Sequence, residues 1–332
     1  MNIRTFFCAL FCLLLLSCSN RKMYSESHPG LQIIRFDNYL YRYLTQPGDR
    51  EIPDSCSKAF FPAYGEKILR IGHPDSPGFQ DRLRTFFAEP ALDALYRDEQ
   101  TKFADISEIN AELSQGMERL FSHFPQLKPP AVYLHVSGLN QNVIVTDEIL
   151  SLSADKYLGA DYPLYQDFFY AYQRQQMSPD RMVPDYLLGF LMANLPFEGN
   201  EDVLLDRMLY EGKLRYLLSQ FLPDRNAWEW VAYNEEQYTW CLTHQSRIWK
   251  TVLENQHLFR SDYVTASQYL KEAPHTASLP VESPGRVGIW LGYRIVASYM
   301  KNHPGTGLPE LMRLTDYREL LKLSKYHPDK SR

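Results

Sequence analysis

The residue with the most definite chemistry in this sequence is a cysteine near its start. Leu15, Leu16 and Ser17 lead directly into Cys18, and Phe6 to Leu16 is apolar throughout behind the positive charge of Arg4. An apolar core of that length suits a signal peptide and falls short of the roughly 20 residues that span a bilayer. A thiol behind a small residue is what a bacterial lipoprotein signal requires. It is acylated, the chain is cut before it, and the new amino terminus is acylated in turn, because several acyl chains anchor stably where one binds only marginally. Cys18 is therefore the expected lipidation site, 1–17 the signal and 18–30 a polar tether. An ordinary secretory signal with an incidental Cys18 is the alternative.

The other reactive types are sparse. Cys8 and Cys12 leave with the signal, so Cys56 and Cys241 remain, as one disulfide in an oxidising compartment or as two free buried thiols. No C-x-x-C is present, so a zinc ribbon or thioredoxin-type site has no support. Nine His occur and none sits in H-E-x-x-H; G-x-S-x-G, the P-loop and G-x-G-x-x-G are also missing. The expectation is no metal and no cofactor.

Two helical stretches carry polar groups beside apolar faces. On the first, Leu204, Leu205, Met208, Leu209, Gly212 and Tyr216 form the face and Glu211 sits on its edge. Gly212 costs roughly 1 kcal/mol against Ala in a helix, which suggests that another backbone comes close there. The plain alternative for Glu211 is an i,i+4 pair with Arg215. On the second, Ser283 is read as a cap with Pro284 in the first turn, Gly288 and Gly292 share a bare strip, and Arg294 lies among Trp290, Ile295 and Ser298. A guanidinium there needs a carboxylate, and Glu211 is the expected partner; ordinary packing with Arg294 reaching the rim is the alternative. Asp155 to Pro163 reads as a turn between strand and helix, or as a charged lip beside a cleft.

The elements that must position these groups follow from periodicity. Leu31 to Asp37 looks like a short strand, followed by a helix or continued strand to Leu44. Ser57 to Tyr96 is helix-rich with a break at Ile71 to Gly78, and Ile106 to Phe124 has helical spacing. The period then switches to 2. Ala131 to Ser137, Asn142 to Asp147 and Glu148 to Ser153 read as strands, with a bulge near Asp147. Helices are expected over Pro163–Gln176, Pro184–Leu195, Asn200–Phe221, Glu235–Gln256, Arg286–Asn302 and Gly307–Lys325. No linker divides the chain, so 31–332 is read as one α+β domain, predominantly helical with a small β-sheet.

Composition closes off other classes. With 23 Tyr, 18 Phe and 5 Trp the 332-residue chain is not broadly disordered. A net charge of −5 disfavours nucleic-acid binding driven by bulk positive charge.

Three blocks, Leu150 to Tyr165, Met208 to Leu218 and Glu282 to Val296, with a closing Leu320 to Pro328, resemble GldB, the gliding-motility lipoprotein family of Bacteroidetes. The resemblance runs from about Leu31 to the C-terminus, and the Cys18 signal agrees with it. It implies a cell-envelope lipoprotein, facing the periplasm from a membrane, more specifically the outer one, with envelope proteins as partners. It also implies a distant likeness to zinc proteases with an H-E-x-x-H helix and a downstream Glu-Gly. Here the helix around Val183 to Asn194 has neither the His ligands nor the general base, and Tyr210-Glu211-Gly212 keeps only the third-ligand pattern. One carboxylate does not hold Zn²⁺, which takes three protein ligands in a catalytic site. The expectation is thus a zincin-like scaffold lacking the metal site, with no catalytic residues and a candidate cleft of Glu211, Arg294, Tyr293 and Asp185. Its role is assembly or interaction rather than catalysis, with an envelope hydrolase using a non-H-E-x-x-H site as the rival. In the emptied cleft, Glu211 and Arg294 are expected to form a buried staple in place of the metal.

Overall fold

Four short strands form one mixed sheet in the order β1-β2-β4-β3, comprising β1 (Ile33–Arg35), β2 (Ala131–His135), β3 (Val143–Val145) and β4 (Ile149–Ser153). The computed structural model describes residues 30–46, 58–140 and 142–328. Cys18, the tether short of Gly30 and Cys56 lie outside them. The parallel pairs β1·β2 and β2·β4 occupy the middle, and β3 runs antiparallel along β4. β4 is buried at every position, as expected of a parallel strand covered on both faces. Alternation sends Leu150 and Leu152 with Val132 and Leu134 to one face. Tyr133 and Ile149 go to the other, beneath Phe36, Phe60 and Tyr64.

The β3·β4 ladder is continuous from Val143↔Leu152 to Val145↔Leu150. The bulge expected near Asp147 is instead a tight turn, closed by Thr146 N donating to Ile149 O at 2.8 Å. The Phe36–Thr45 helix follows β1 without a gap. The Ser107–His123 helix covers one sheet face with the Met182–Asn194 helix, whose Gly189 lies against Val143.

The rest of the chain is helical, and most expected helices are present: Leu204–Phe221 and Val287–Asn302 are the longest of that half. The chain from Leu31 to Arg332 forms one unit. This mostly helical α+β arrangement agrees with the expected class. No described helix is long and apolar enough to cross a membrane.

Three expected helices are broken, each for a visible reason. Pro163–Gln176 yields only Tyr165–Phe168 and Ala171–Arg174, with Phe169 and Tyr170 extended. The Tyr165 hydroxyl is pulled inward, donating to Asp155 O and accepting from Leu158 N at 3.0 Å. Glu235–Gln256 divides at His244, whose ring stacks on Trp240 and lies 2.8 Å from Trp240 O. Gly307–Lys325 divides after Arg313, because Lys213 donates to Leu314 O from the neighbouring helix and Asp316 starts a new cap on Glu319 N. Two helices, the short Ala227–Trp230 and Tyr263–Leu270, were not expected; Asp262 caps the second. The reading of Ser283 and Pro284 as a helix start is also corrected. The helix begins at Val287, behind Arg286 at φ +59°, while Ser283 Oγ and Pro284 O both accept from Thr276 N.

Candidate functional site

The close approach expected at Gly212 is present and fixes the helical half. A Cβ on Gly212 would lie 2.3 Å from the Gly292 carbonyl carbon, and one on Gly292 would lie 1.9 Å from Met208 O. The two helices therefore cross backbone on backbone. Of the bare strip, Gly292 faces this crossing and Gly288 faces Tyr269.

The crossing separates Glu211 from Arg294, and the staple expected between them does not form. Glu211 pairs along its own helix with Arg215, at 3.3 Å, with the guanidinium buried and the carboxylate half-buried. Arg294 lies 5.9 Å from the Trp290 ring centroid and near the Tyr238 hydroxyl. Tyr293 packs against Trp230, and burial pushes its hydroxyl up to about 12. Of the four proposed cleft residues, Asp185 and Glu211 are linked through arginines, while Tyr293 and Arg294 stand apart from them. Asp185 accepts from Arg181 Nη2 at 2.7 Å and from the Tyr157 hydroxyl at 2.9 Å. Arg215 feels Glu211, Asp185, Arg181 and Arg286 together, and burial lowers its affinity for a proton more than Glu211 raises it.

In front of this charged layer lies a groove of about 480 Å³ between the Ala160–Arg181 segment and the Asn226–Gln237 segment. Arg181 reaches it from below and is held by Asp185 and by Glu229 O at 2.7 Å. Arg286 closes the adjoining end, donating to Ala232 O at 2.9 Å. Gln176 Nε2 donates to the same carbonyl at 3.1 Å. Ala232 itself sits at φ +58°, a conformation uncommon for a residue with a side chain. Sequence reading missed Arg181, Ala232 and Arg286 as site residues. The left-handed backbone at Ala232 has no residue signature.

A second polar cluster, also missed, sits where β2 and β4 end. Asp155 accepts from Ser137 N at 2.9 Å, from Leu139 N at 2.7 Å and from the Ser153 hydroxyl. His135 Nδ1 lies 2.6 Å from Ser151 Oγ. These residue types are those of a nucleophile, a base and an orienting acid, yet all are fully buried. His135 has its proton affinity lowered to about 3 by burial, so the ring is neutral. Asp155 and Lys156 thus do not form an exposed lip. They lock the turn from inside, with Lys156 over the Phe169 ring, and Ala160 is what reaches the groove. The parity of the strands carried this signal: Tyr133, His135 and Ser137 share one face of β2, and Ser151 and Ser153 share the same face of β4.

A third buried set joins Arg35, Asp37, Glu99 and Gln100. Arg35 grips Asp37 at 2.6 Å, and Gln100 Nε2 donates to Glu99 Oε2 at 2.8 Å and to Asp37 Oδ2 at 3.3 Å. Burial and the facing carboxylate hold Glu99 well above the ordinary carboxyl range.

Among the described residues no group of three or more His, Cys, Asp or Glu side chains is placed to hold a metal ion. Cys241 is a free, buried thiol, pushed upward by burial. The family model described as gliding motility protein GldB matches residues 17–328. No curated protein and no solved structure matches the chain.

Proposed function

The chain belongs to the gliding motility protein GldB family, and from that premise we propose that it is an assembly or interaction component of the gliding machinery rather than a hydrolase. Membership of a gliding-motility lipoprotein family supports an envelope location. In the proposed arrangement Cys18 carries the acyl chains, 18–30 is the tether, and the domain from 31 faces the periplasm from the outer membrane. Its scaffold is peptidase-like with the metal site given up.

One observation supports this reading above the others. The two carboxylates that a peptidase-like cleft would use, Asp185 and Glu211, each face a buried arginine, Arg181 at 2.7 Å and Arg215 at 3.3 Å. A guanidinium there opposes a second cation, because like charges in a poorly solvated site repel strongly. The same charges offset the carboxylates, Arg181 by a hydrogen bond to Asp185 and Arg215 by an ion pair with Glu211, so neither is left as an unpaired buried charge.

The test has two readouts. Elemental analysis of the purified protein should find no stoichiometric zinc, and a chelator should leave its melting temperature unchanged, since a ligand bound only by the native state would otherwise raise it. About one zinc per chain would overturn the interaction reading and favour the hydrolase. For the anchor, Cys18→Ala should abolish labelling by radioactive palmitate; unchanged labelling would remove the lipoprotein assignment of that thiol. Crosslinking in intact cells, followed by purification through the acylated chain, should recover envelope proteins in fixed ratio.

A further inference from the structure

We infer that the groove between the Ala160–Arg181 and Asn226–Gln237 segments is a binding site for a neutral glycan. This goes beyond the interaction role, and it stands on the groove alone.

The groove is built at a cost. Ala232 and Arg286 both hold left-handed backbone, at φ +58° and φ +59°. They are also bonded to each other, Arg286 Nη2 to Ala232 O at 2.9 Å, and Tyr233 Oη secures the adjacent turn by donating to Gly285 O at 2.6 Å. Strained backbone of this kind persists where the surroundings over-determine it, and it concentrates at ligand sites. The volume of about 480 Å³ is that of a small-ligand site.

The lining selects the ligand. Gln175, Gln176, Asn234 and Gln237 bring amides to one cleft. Asn234 Oδ1 and Gln237 Oε1 cap the following helix and Gln176 Nε2 holds Ala232 O, so Gln175 and the Gln237 Nε2 group are the pair that donates and accepts toward a sugar hydroxyl. The bond between Gln237 Nε2 and Gln175 Oε1, at 3.2 Å, is exposed, so a hydroxyl can replace it at little net cost. The cations are spoken for: Arg181 by Asp185 and Glu229 O, and Arg286 by Ala232 O with Glu272 at 3.8 Å. Asp180 and Glu235 are exposed at the rim. That balance turns away phosphates and nucleic acids, whose binding needs uncommitted positive charge.

At the narrow end, Tyr172 lines the cleft and stacks on Tyr170, with ring centroids 5.7 Å apart and an interplanar angle of 10°. Tyr170 is 72% exposed, and Phe168 beside it is 65% exposed. Large rings left this open mark a contact surface. An outer face of this stacked pair, at the end of an amide-lined cleft, offers a flat surface to the C–H side of a sugar ring. A basic peptide answers the rim acids and can lay a cation on a ring face, so a lysine-rich probe is set against the sugars below.

The test uses the full-length lipoprotein in a non-glycosidic detergent, titrated calorimetrically and by quenching of tryptophan fluorescence, Trp228 being in the groove. The probes are N-acetylchitotetraose, cellotetraose, maltotetraose and a lysine-rich decapeptide. Saturable binding of at least one tetrasaccharide is expected. Selective binding of the N-acetylated probe would assign the ligand to cell-wall glycan, and of the others to exported polysaccharide. Tyr170→Ala with Tyr172→Ala, and separately Gln237→Ala, should weaken binding about tenfold, equivalent to about 1.4 kcal/mol, with melting temperatures close to the parent. Leu253→Ala, on a remote surface, should leave it unchanged. No saturable binding of any tetrasaccharide, sugar binding indifferent to the three groove side chains, or binding of the peptide alone would each overturn the inference. The partner crosslinking described above would be unaffected, so the two readings fail separately.

Discussion

Where the Leu204–Phe221 and Val287–Asn302 helices cross, the contact is made by the absence of side chains: Gly212 and Gly292 let one backbone rest on the other. At the carboxyl ends of β2 and β4 the reverse holds. His135, Ser137, Ser151, Ser153 and Asp155 are all fully buried, and the region coheres through the hydrogen bonds between them, which leave only the Nε2 of His135 without a partner in this cluster. The first region is specified by volume, at Gly212 and Gly292. The second is specified by hydrogen bonds and protons. They should therefore fail under different insults, the crossing to one added methyl group at any pH, the strand ends to a lost acceptor or to acid.

Gly292→Ala should do the most damage. The new Cβ would meet Met208 O at 1.9 Å, and the obstacle is backbone, which cannot rotate away. Overpacking of this kind should cost more than about 3 kcal/mol, read as a lowered melting temperature that is the same at pH 5 and pH 8. Gly116→Ala is the control within the same half. Only side chains stand near its Cβ, Leu187 at 3.0 Å and Leu222 at 3.4 Å, and the helix gains propensity, so the change should stay within about 1 kcal/mol. Equal losses at both positions would show that the crossing is not the special contact proposed.

Asp155→Ala comes next. It leaves the Ser137 and Leu139 amides and the Ser153 hydroxyl without their acceptor in a dry site, which should cost about 2–3 kcal/mol. Asp155→Asn keeps one oxygen and should lose less, measured by denaturant midpoint. If Ala and Asn variants unfold alike, hydrogen bonding is not what holds the strand ends.

The two regions were unequally legible. Gly212, Gly288 and Gly292 announced a close approach because glycine inside a helix has few other uses, and the crossing followed. The strands could be read from their period of 2, and parity could have placed His135 beside Ser151. What the sequence did not contain was pairing between distant polar groups. Arg294 had an apolar context and no partner, so Glu211 was assigned to it, whereas the helix crossing turns the two apart and gives Glu211 the nearer Arg215. The helix breaks at His244 and Leu314 were hidden for the same reason. Each depends on one side chain capturing one carbonyl, Trp240 O by His244 and Leu314 O by Lys213, and periodicity does not register single bonds. The groove was least visible, since Ala232 and Arg286 adopt left-handed backbone without glycine.

His135 supplies an acid arm to the strand-end region. Burial lowers its proton affinity from 6.5 to about 3. The unfolded chain therefore binds the proton first, so this group's contribution is complete above pH 6.5 and is lost as pH falls. Between pH 6.5 and 5 the loss should be about 2 kcal/mol. His135→Gln, neutral throughout, should flatten that arm in a series of melting curves while leaving the Gly292→Ala deficit untouched. A parent protein equally stable at pH 5 and 6.5 would count against a neutral buried ring.

Glu99 gives the same half of the molecule a slope of opposite sign. Its carboxyl is raised well above 4.5, by burial first and then by the facing Asp37, while Gln100 and Arg35 pull it down. Asp37 is raised less, because Arg35 offsets the burial. In the fold Glu99 thus holds its proton where the unfolded chain has released it. Its contribution is complete below about pH 4.5 and declines as pH rises through the raised value. Glu99→Gln removes the titration while keeping the shape and a hydrogen-bonding amide beside Asp37. At pH 4.5 the variant should match the parent within about 1 kcal/mol, and it should gain on the parent steadily as pH is raised toward neutrality. The double variant with His135→Gln should then have the flattest pH profile of any, because the two groups supply the opposing arms. If Glu99→Gln instead falls behind the parent as pH rises, the carboxyl is ionised in the fold and Arg35, not a retained proton, is what keeps it there.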